Sequence, residues 1–352
     1  MQTAQCSARS LEGDHWKQRQ QVNSVGSAST ALASSIVEAI KFCWVRLGVQ
    51  CRWGPAAAEV PTYPMTSTPA ILLKSSKTHG GELRRYKHPS YFTNCDMTWS
   101  VFLPPAALLS EAGAPSGVPA PILYYLSGLT CTDLNASEKS GAYSFAAAAN
   151  VALVFPDTSP RGDHVTSHCG PEATAQWDFG LGAGFYVDAT CPPWSAHFRM
   201  ASYIVEEMPG IVKATLPRAL AHERRSITGH SMGGCGALAL ALRFPGAYRS
   251  VSAFAPVAHP SACPWGQKAF EGYLGTDAAL WAQADPTQLV AKYKGPPLRI
   301  RVDVGSADEW AGKKQLLVED FCAAAGKTAG VEVDLRVREG YVRGKGWRRT
   351  AT

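Results

Sequence analysis

Ser231 lies in the stretch Gly229-His230-Ser231-Met232-Gly233, a G-x-S-x-G pattern. A serine hydroxyl presented on a tight strand-to-helix turn can attack an acyl carbon, and that turn leaves no room for side chains two positions to either side. The flanking residues supply the turn's context. Arg225–Thr228 reads as a buried strand, and Cys235, Leu238, Ala239 and Leu242 recur at helical spacing after the serine. A helix N-terminus beneath Ser231 favours developing negative charge. The competing reading is a chance glycine-rich turn.

Acyl transfer also needs two backbone N–H groups to hold the oxyanion. One belongs to the residue after the nucleophile, Met232. The other should come from a loop after an earlier strand. Ser127-Gly128-Leu129-Thr130-Cys131-Thr132 follows the apolar run Ile122–Leu126, and the Leu129 amide fits that role. A plain strand-end turn is the alternative. The acid should follow a later strand. Leu298–Val304 ends in Gly305-Ser306-Ala307-Asp308-Glu309, which places Asp308 where a loop can aim it at a histidine. Otherwise Asp308 is a solvated loop carboxylate. Asp303 falls inside the strand pattern.

The triad order then requires a histidine after Asp308, and all nine histidines precede it. Without an imidazole, Ser231 has no partner to accept its proton and return it to the leaving group. His259 follows the strand Val251–Phe254 and could reach the rim of the site. His230 occupies the variable position of the elbow and should turn away. His164 and His168 share a loop; they are surface groups, or an i, i+4 metal pair.

The elements that must position these groups begin near Leu83. Short apolar runs read as strands: Met97–Leu103, Ile122–Leu126, Val151–Phe155, Arg225–Thr228, Val251–Phe254, Leu298–Val304 and Val331–Val337. Helical patterns lie between several of them, at Ser140–Asn150, Phe198–Leu216, Met232–Phe244 and Lys313–Ala325. Alternating strands and helices predict a mostly parallel sheet covered on both faces. Residues 1–67 read as a separate N-terminal extension, rich in Ala, Ser and Gln, with one amphipathic helix near Ser29–Leu47. That extension is disordered or a targeting segment, and its four acidic residues weigh against an organelle transit peptide.

Composition narrows the function classes. The 352 residues are 46% hydrophobic and 18% charged, enough apolar material for a large core. The net charge of +6 sits at the ends: +2 in residues 1–67 and +4 in 342–352, which leaves 24 basic and 24 acidic residues in 68–341. A neutral body argues against nucleic-acid binding. No apolar run is long enough to cross a membrane. Ten scattered cysteines without zinc-finger spacing fit reduced thiols in a cytosol-like compartment.

From about Leu72 to Tyr341 the chain closely resembles S-formylglutathione hydrolase, also called esterase D. The matching stretches include Tyr125-Leu126-Ser127-Gly128-Leu129-Thr130-Cys131-Thr132, Pro156-Asp157-Thr158-Ser159-Pro160-Arg161-Gly162 and Trp177-Asp178-Phe179-Gly180. Gly182–Thr190, Gly229–Gly234, Val251–Pro256, Cys263–Gly266 and Gly272–Thr276 match too. The resemblance implies an α/β-hydrolase fold over 68–341. It implies a cytoplasmic serine thioesterase that converts S-formylglutathione to glutathione and formate in formaldehyde detoxification, with no cofactor or metal. It supports Ser231, Asp308, Leu129 and Met232 in the roles above. It adds Trp177 near the acyl pocket, Cys131 as a thiol beside the site, and homodimerisation. A general carboxylesterase of the same family is the second enzyme reading.

The pattern departs after Glu339-Gly340-Tyr341. The family continues Asp-His-Ser-Tyr-Tyr-Phe and a final helix, whereas this chain continues Val342-Arg343-Gly344 into a divergent basic tail, 342–352. Arg343 therefore stands where the catalytic histidine belongs, and the final helix is expected to be missing. A truncated, inactive pseudoenzyme is the reading that this departure favours.

Overall fold

The computed structural model describes residues 69–341. The helix expected near Ser29–Leu47, the N-terminal extension as a whole, the basic tail and the final helix all concern residues outside that range.

Nine strands form one sheet: β1 (Ile71–Thr78), β2 (Gly81–Ser90), β3 (Cys95–Leu103), β4 (Ala120–Leu126), β5 (Ala152–Pro156), β6 (Leu220–His230), β7 (Val251–Phe254), β8 (Leu298–Gly305) and β9 (Val331–Arg338). Their spatial order is β1-β2-β3-β5-β4-β6-β7-β8-β9. The first three strands and β5 pair antiparallel, and β5 through β9 run parallel. The chain leaves β4 toward β5 on one side and reaches β6 on the other. Such a switch in strand order opens a crevice at the carboxyl ends of the parallel strands. The loop after β4 and the turn after β6 both open into it.

Period-2 alternation separates two apolar layers. Tyr124 and Leu126 of β4, Val154 of β5, Ile227 of β6 and Ile300 and Val302 of β8 belong to the larger core cluster. Helix α3 (Met232–Arg243) packs into that layer, with every residue from Met232 to Leu242 buried, as suits a helix apolar on all sides. Leu123, Tyr125, Leu153, Phe155 and Phe254 point the other way. Ala136 of α1 (Asp133–Lys139) and Tyr143 and Ala146 of α2 (Tyr143–Ala148) join them there. All seven residues of β4 and all five of β5 are buried, which explains why both read as continuous apolar runs.

The structure differs from the sequence expectation in three places. The β1–β2 hairpin was not anticipated. β1 turns polar after Ile71-Leu72-Leu73 and is exposed nearly throughout, and β2 carries Arg84, Arg85, Lys87 and His88, so neither shows an apolar run of strand length. Its two-residue turn, His79-Gly80, has positive φ at both positions, a primed-turn geometry reached without the usual Asn-Gly. The helix expected over Lys313–Ala325 begins only at Val318. Lys314 and Leu317 both adopt positive φ, which breaks helical geometry. His164 and His168 lie on a short helix, Asp163–Cys169, rather than in a loop.

Candidate active site

Ser231 is the residue between β6 and α3, with φ 64° and ψ −122°. Such a conformation costs a non-glycine residue on the order of 1–3 kcal/mol, and persists because the surroundings fix it. Ser231 N–H donates to Phe254 O at 2.9 Å, and Ser231 O accepts from Cys235 N–H at 3.0 Å and from Val257 N–H at 3.3 Å. The flanking glycines are obligatory. A Cβ on Gly229 would lie 2.1 Å from Gly233 O, and one on Gly233 would lie 1.9 Å from Leu126 O. The turn is therefore packed directly onto the end of β4.

The loop after β4 faces the serine. A Cβ on Gly128 would stand 3.1 Å from Ser231 Cβ and 3.5 Å from its Oγ. Met232 opens α3, so its N–H has no intrahelical acceptor. The 127–132 loop is held from several sides. Thr130 N–H donates to Gly182 O at 2.9 Å, and the Tyr186 hydroxyl donates to Ser127 O at 2.8 Å. Arg161 Nη2 donates to Cys131 O at 2.9 Å, and the Thr158 hydroxyl donates to the same oxygen. Ser159 Oγ in turn accepts from Gly182 N–H at 2.8 Å. The motifs Pro156–Gly162 and Gly182–Thr190 thus brace the proposed oxyanion loop. Asp157 anchors this brace through Arg161 at 2.9 Å. Burial pushes the Asp157 carboxyl above the usual carboxylate range, with the Arg161 charge pulling the other way.

Asp308 follows β8 and is 4% exposed. It caps the short helix α4 (Glu309–Gly312), its Oδ1 accepting from Trp310 N–H at 2.9 Å. Glu309 points away, to Lys313 Nζ at 3.0 Å. Asp303, inside β8, is buried and pairs with Arg338. The end of β9 returns to the same place. Ala307 N–H donates to Tyr341 O at 3.0 Å, so the described chain ends beside the residue that precedes Asp308.

Of the other histidines, His259 is turned toward carboxylates of its own. Its Nδ1 lies 2.8 Å from Asp320 Oδ2, and its Nε2 lies 3.9 Å from Asp285 Oδ2. His164 and His168 are exposed, with ring centroids 5.6 and 5.2 Å from that of His197. Among the described residues no group of three or more His, Cys, Asp or Glu could hold a metal ion.

Trp177 is 53% exposed and forms one side of an aromatic cluster that sequence reasoning did not assemble. Its ring centroid is 5.7 Å from that of Trp265 and 6.5 Å from that of Trp310, which are 4.4 Å from each other. Trp177 and Trp265 lie in stretches that carry the resemblance, whereas Trp310, two residues past Asp308, has no signal in the sequence. Cys131 lies in the braced loop. Burial pushes its thiol up to about 11, so at neutral pH it is a poorer nucleophile than an exposed cysteine.

A serine at the elbow of such a sheet, with the acid after a later strand, is the arrangement of an α/β-hydrolase esterase. The Esterase family model, described as "Putative esterase", matches residues 90–344. The chain is 44% identical over 269 residues to S-formylglutathione hydrolase of Rattus norvegicus, covering 76% of this chain and 90% of that one. It is 46% identical, with the same coverage, to that of Bos taurus. A solved S-formylglutathione hydrolase from Agrobacterium tumefaciens superposes with a TM-score of 0.71 at 37% identity, over 78% of this chain and 92% of that one. The chain belongs to the S-formylglutathione hydrolase family.

Proposed function

We propose that this protein is a serine thioesterase that hydrolyses S-formylglutathione to glutathione and formate, the closing hydrolysis of glutathione-dependent formaldehyde removal. The observation that carries this reading is the strained Ser231 elbow packed against the Gly128 loop, in a chain with 43–46% identity to S-formylglutathione hydrolases. Ser231 Oγ attacks the formyl carbon. The Leu129 and Met232 amides hold the oxyanion, which exists only as the carbonyl becomes tetrahedral, so they favour the transition state over the ground state. The thiol leaves as glutathione, and water hydrolyses the formyl-serine. Close approach of Gly128 to Ser231 suits a small acyl group, and the family resemblance assigns Trp177 and Cys131 to the neighbourhood of that pocket. Asp308 would orient the histidine that takes the Ser231 proton, but this chain does not supply one: the family's position for it is Arg343.

The chain acts on a small thioester in the cytoplasm and needs no cofactor; pairing of two chains is part of the same proposal. Among the described residues no helix is long and apolar enough to cross a membrane. A second reading, an inactive family member, is favoured by one observation: no histidine stands between Asp308 and Thr352. Thiol release from S-formylglutathione, with short acyl esters in parallel, separates the readings. Hydrolysis of the thioester with a kcat/KM above that of the esters supports the thioesterase. Ester preference supports a general carboxylesterase, and no turnover of either supports the inactive reading.

A further inference from the structure

The turn that carries Leu129 is strained. Cys131 N–H donates to Gly128 O at 3.3 Å, which closes a four-residue turn over residues 128–131. Its third residue, Thr130, has φ 67°. Positive φ at that place ordinarily calls for glycine, and a β-branched residue there is an outlier. Like Ser231, Thr130 keeps such a conformation because its surroundings impose it. Thr130 N–H donates to Gly182 O at 2.9 Å, and a Cβ on Gly182 would lie 3.1 Å from Thr130 Cα. Among the described residues Leu129 N–H donates to no acceptor, which leaves it available to an incoming oxyanion.

Buried polar groups anchor the chain beyond Thr130. The Cys131 carbonyl accepts two bonds, from Arg161 Nη2 at 2.9 Å and from the Thr158 hydroxyl. Thr158 is fully buried, where a hydrogen bond is stronger than in water. Asp157 fixes both donors, accepting from Thr158 N–H at 2.6 Å and from Arg161 Nε at 2.9 Å. Two residues further on, Asp133 is fully buried at the start of α1. It accepts from Arg85 Nε at 2.8 Å, Arg85 Nη2 at 3.0 Å, the Thr98 hydroxyl at 3.0 Å and the Ser100 hydroxyl at 2.8 Å. The end of the loop is thereby pinned to β2 and β3.

We infer that Thr158 is a positioning residue for the hydrolysis: with Arg161 it grips the Cys131 carbonyl and keeps the strained turn in the form that aims Leu129 N–H at the oxyanion. The inference rests on the thioesterase reading above and states how its oxyanion hole is kept formed before substrate arrives. Relaxing Thr130 to negative φ would swing the chain before it against the chain after it. The bond at Thr130 N–H and the two bonds at Cys131 O oppose that swing from opposite sides. Donors already in place when charge develops need no reorganisation at that moment. A buried hydroxyl that merely satisfied a carbonyl would stabilise the fold alone. One that holds the turn also tightens binding of a tetrahedral adduct on Ser231.

The test is titration of the full chain with methylboronic acid, read by boron NMR. Ser231 Oγ adds to boron and its proton passes to water, giving a tetrahedral boronate with an oxygen where the oxyanion forms. Thr158→Val should raise Kd about tenfold, and Thr158→Ser, which keeps the hydroxyl, should restore it, with thermal melting showing that the chains are folded. Arg161→Lys keeps a cation beside Asp157 without the guanidinium fork; it should weaken binding likewise, and it stands in if Thr158→Val does not fold. In a Thr130→Gly background, where positive φ carries no steric cost, the loss on Thr158→Val should shrink. Equal affinity of the parent and the folded variants, no recovery in Thr158→Ser, or an undiminished loss in the Thr130→Gly background would overturn the inference. Labelling of Ser231 by a fluorophosphonate, read on the same samples, keeps the two proposals apart. A parent that is labelled but takes up no boronate retains the serine nucleophile and overturns the inference. A parent that does neither removes the thioesterase reading and the inference with it.

Discussion

Placing a histidine at position 343 should restore catalysis, and the structure sets how large the effect can be. Ala307 N–H holds Tyr341 O at 3.0 Å, and Asp308 is the next residue. Two further residues span at most ~7 Å, so a chain leaving Tyr341 has the length to bring a histidine at position 343 to Asp308. The perturbation is the double substitution Val342→Asp and Arg343→His, compared with replacement of residues 342–352 by the family's Asp-His-Ser-containing ending. Loss of the base in a serine triad costs on the order of 10⁶ in kcat, while the oxyanion hole and binding retain ~10³–10⁴ over the uncatalysed rate. The full replacement should therefore gain at least ~10³ in kcat/KM for S-formylglutathione, about 4 kcal/mol of transition-state stabilisation. The assay is thiol release under single-substrate kinetics, with equal folded fractions verified by melting. If the parent already turns over at the replaced chain's rate, another group serves as base and the assignment of Asp308 is wrong. His259, tied to Asp320 at 2.8 Å, would be the first residue to re-examine.

The elbow glycines should tolerate no side chain: Gly233→Ala, whose Cβ would meet Leu126 O at 1.9 Å, should cost at least about 2 kcal/mol in urea unfolding. Gly312→Ala, with nothing within 4 Å of its Cβ, should stay within about 0.5 kcal/mol of the parent. Alkylation of Cys131 by iodoacetamide should be slow at pH 8 and rise nearly tenfold per pH unit up to about 11, because burial favours the neutral thiol and the reactive thiolate appears only as pH approaches that value. A rate that levels off near pH 9 would show a thiol less buried than the structure describes.

What the sequence made legible follows from which forces act locally. Buried parallel strands announce themselves as apolar runs, the half-exposed β9 by its alternation of apolar and charged residues, and the elbow by its two glycines, so β4 to β9 and the turn at Ser231 were legible directly. β1 was missed because it is exposed nearly throughout, and β2 because its charged residues are held by side-chain ion pairs. Arg85 reaches Asp133 at 2.8 Å and Arg84 reaches Glu111 at 2.8 Å, contacts between residues 48 and 27 apart. Trp310 was missed for a similar reason. Its meeting with Trp177 and Trp265 joins three segments that only the folded chain brings together. The braces on the oxyanion loop were visible as motifs, but their purpose was not. Nothing in Pro156–Gly162 indicates that Thr158 and Arg161 converge on one carbonyl of another loop.

The central claim is that Ser231 is the nucleophile. It is tested most directly by treating the chain bearing the Asp-His-Ser ending with a fluorophosphonate and mapping the adduct by peptide mass spectrometry. The account predicts one adduct, on the peptide that contains Ser231, which disappears with all thioester turnover in Ser231→Ala. An adduct on any other serine, or turnover that survives Ser231→Ala in a folded protein, would contradict it.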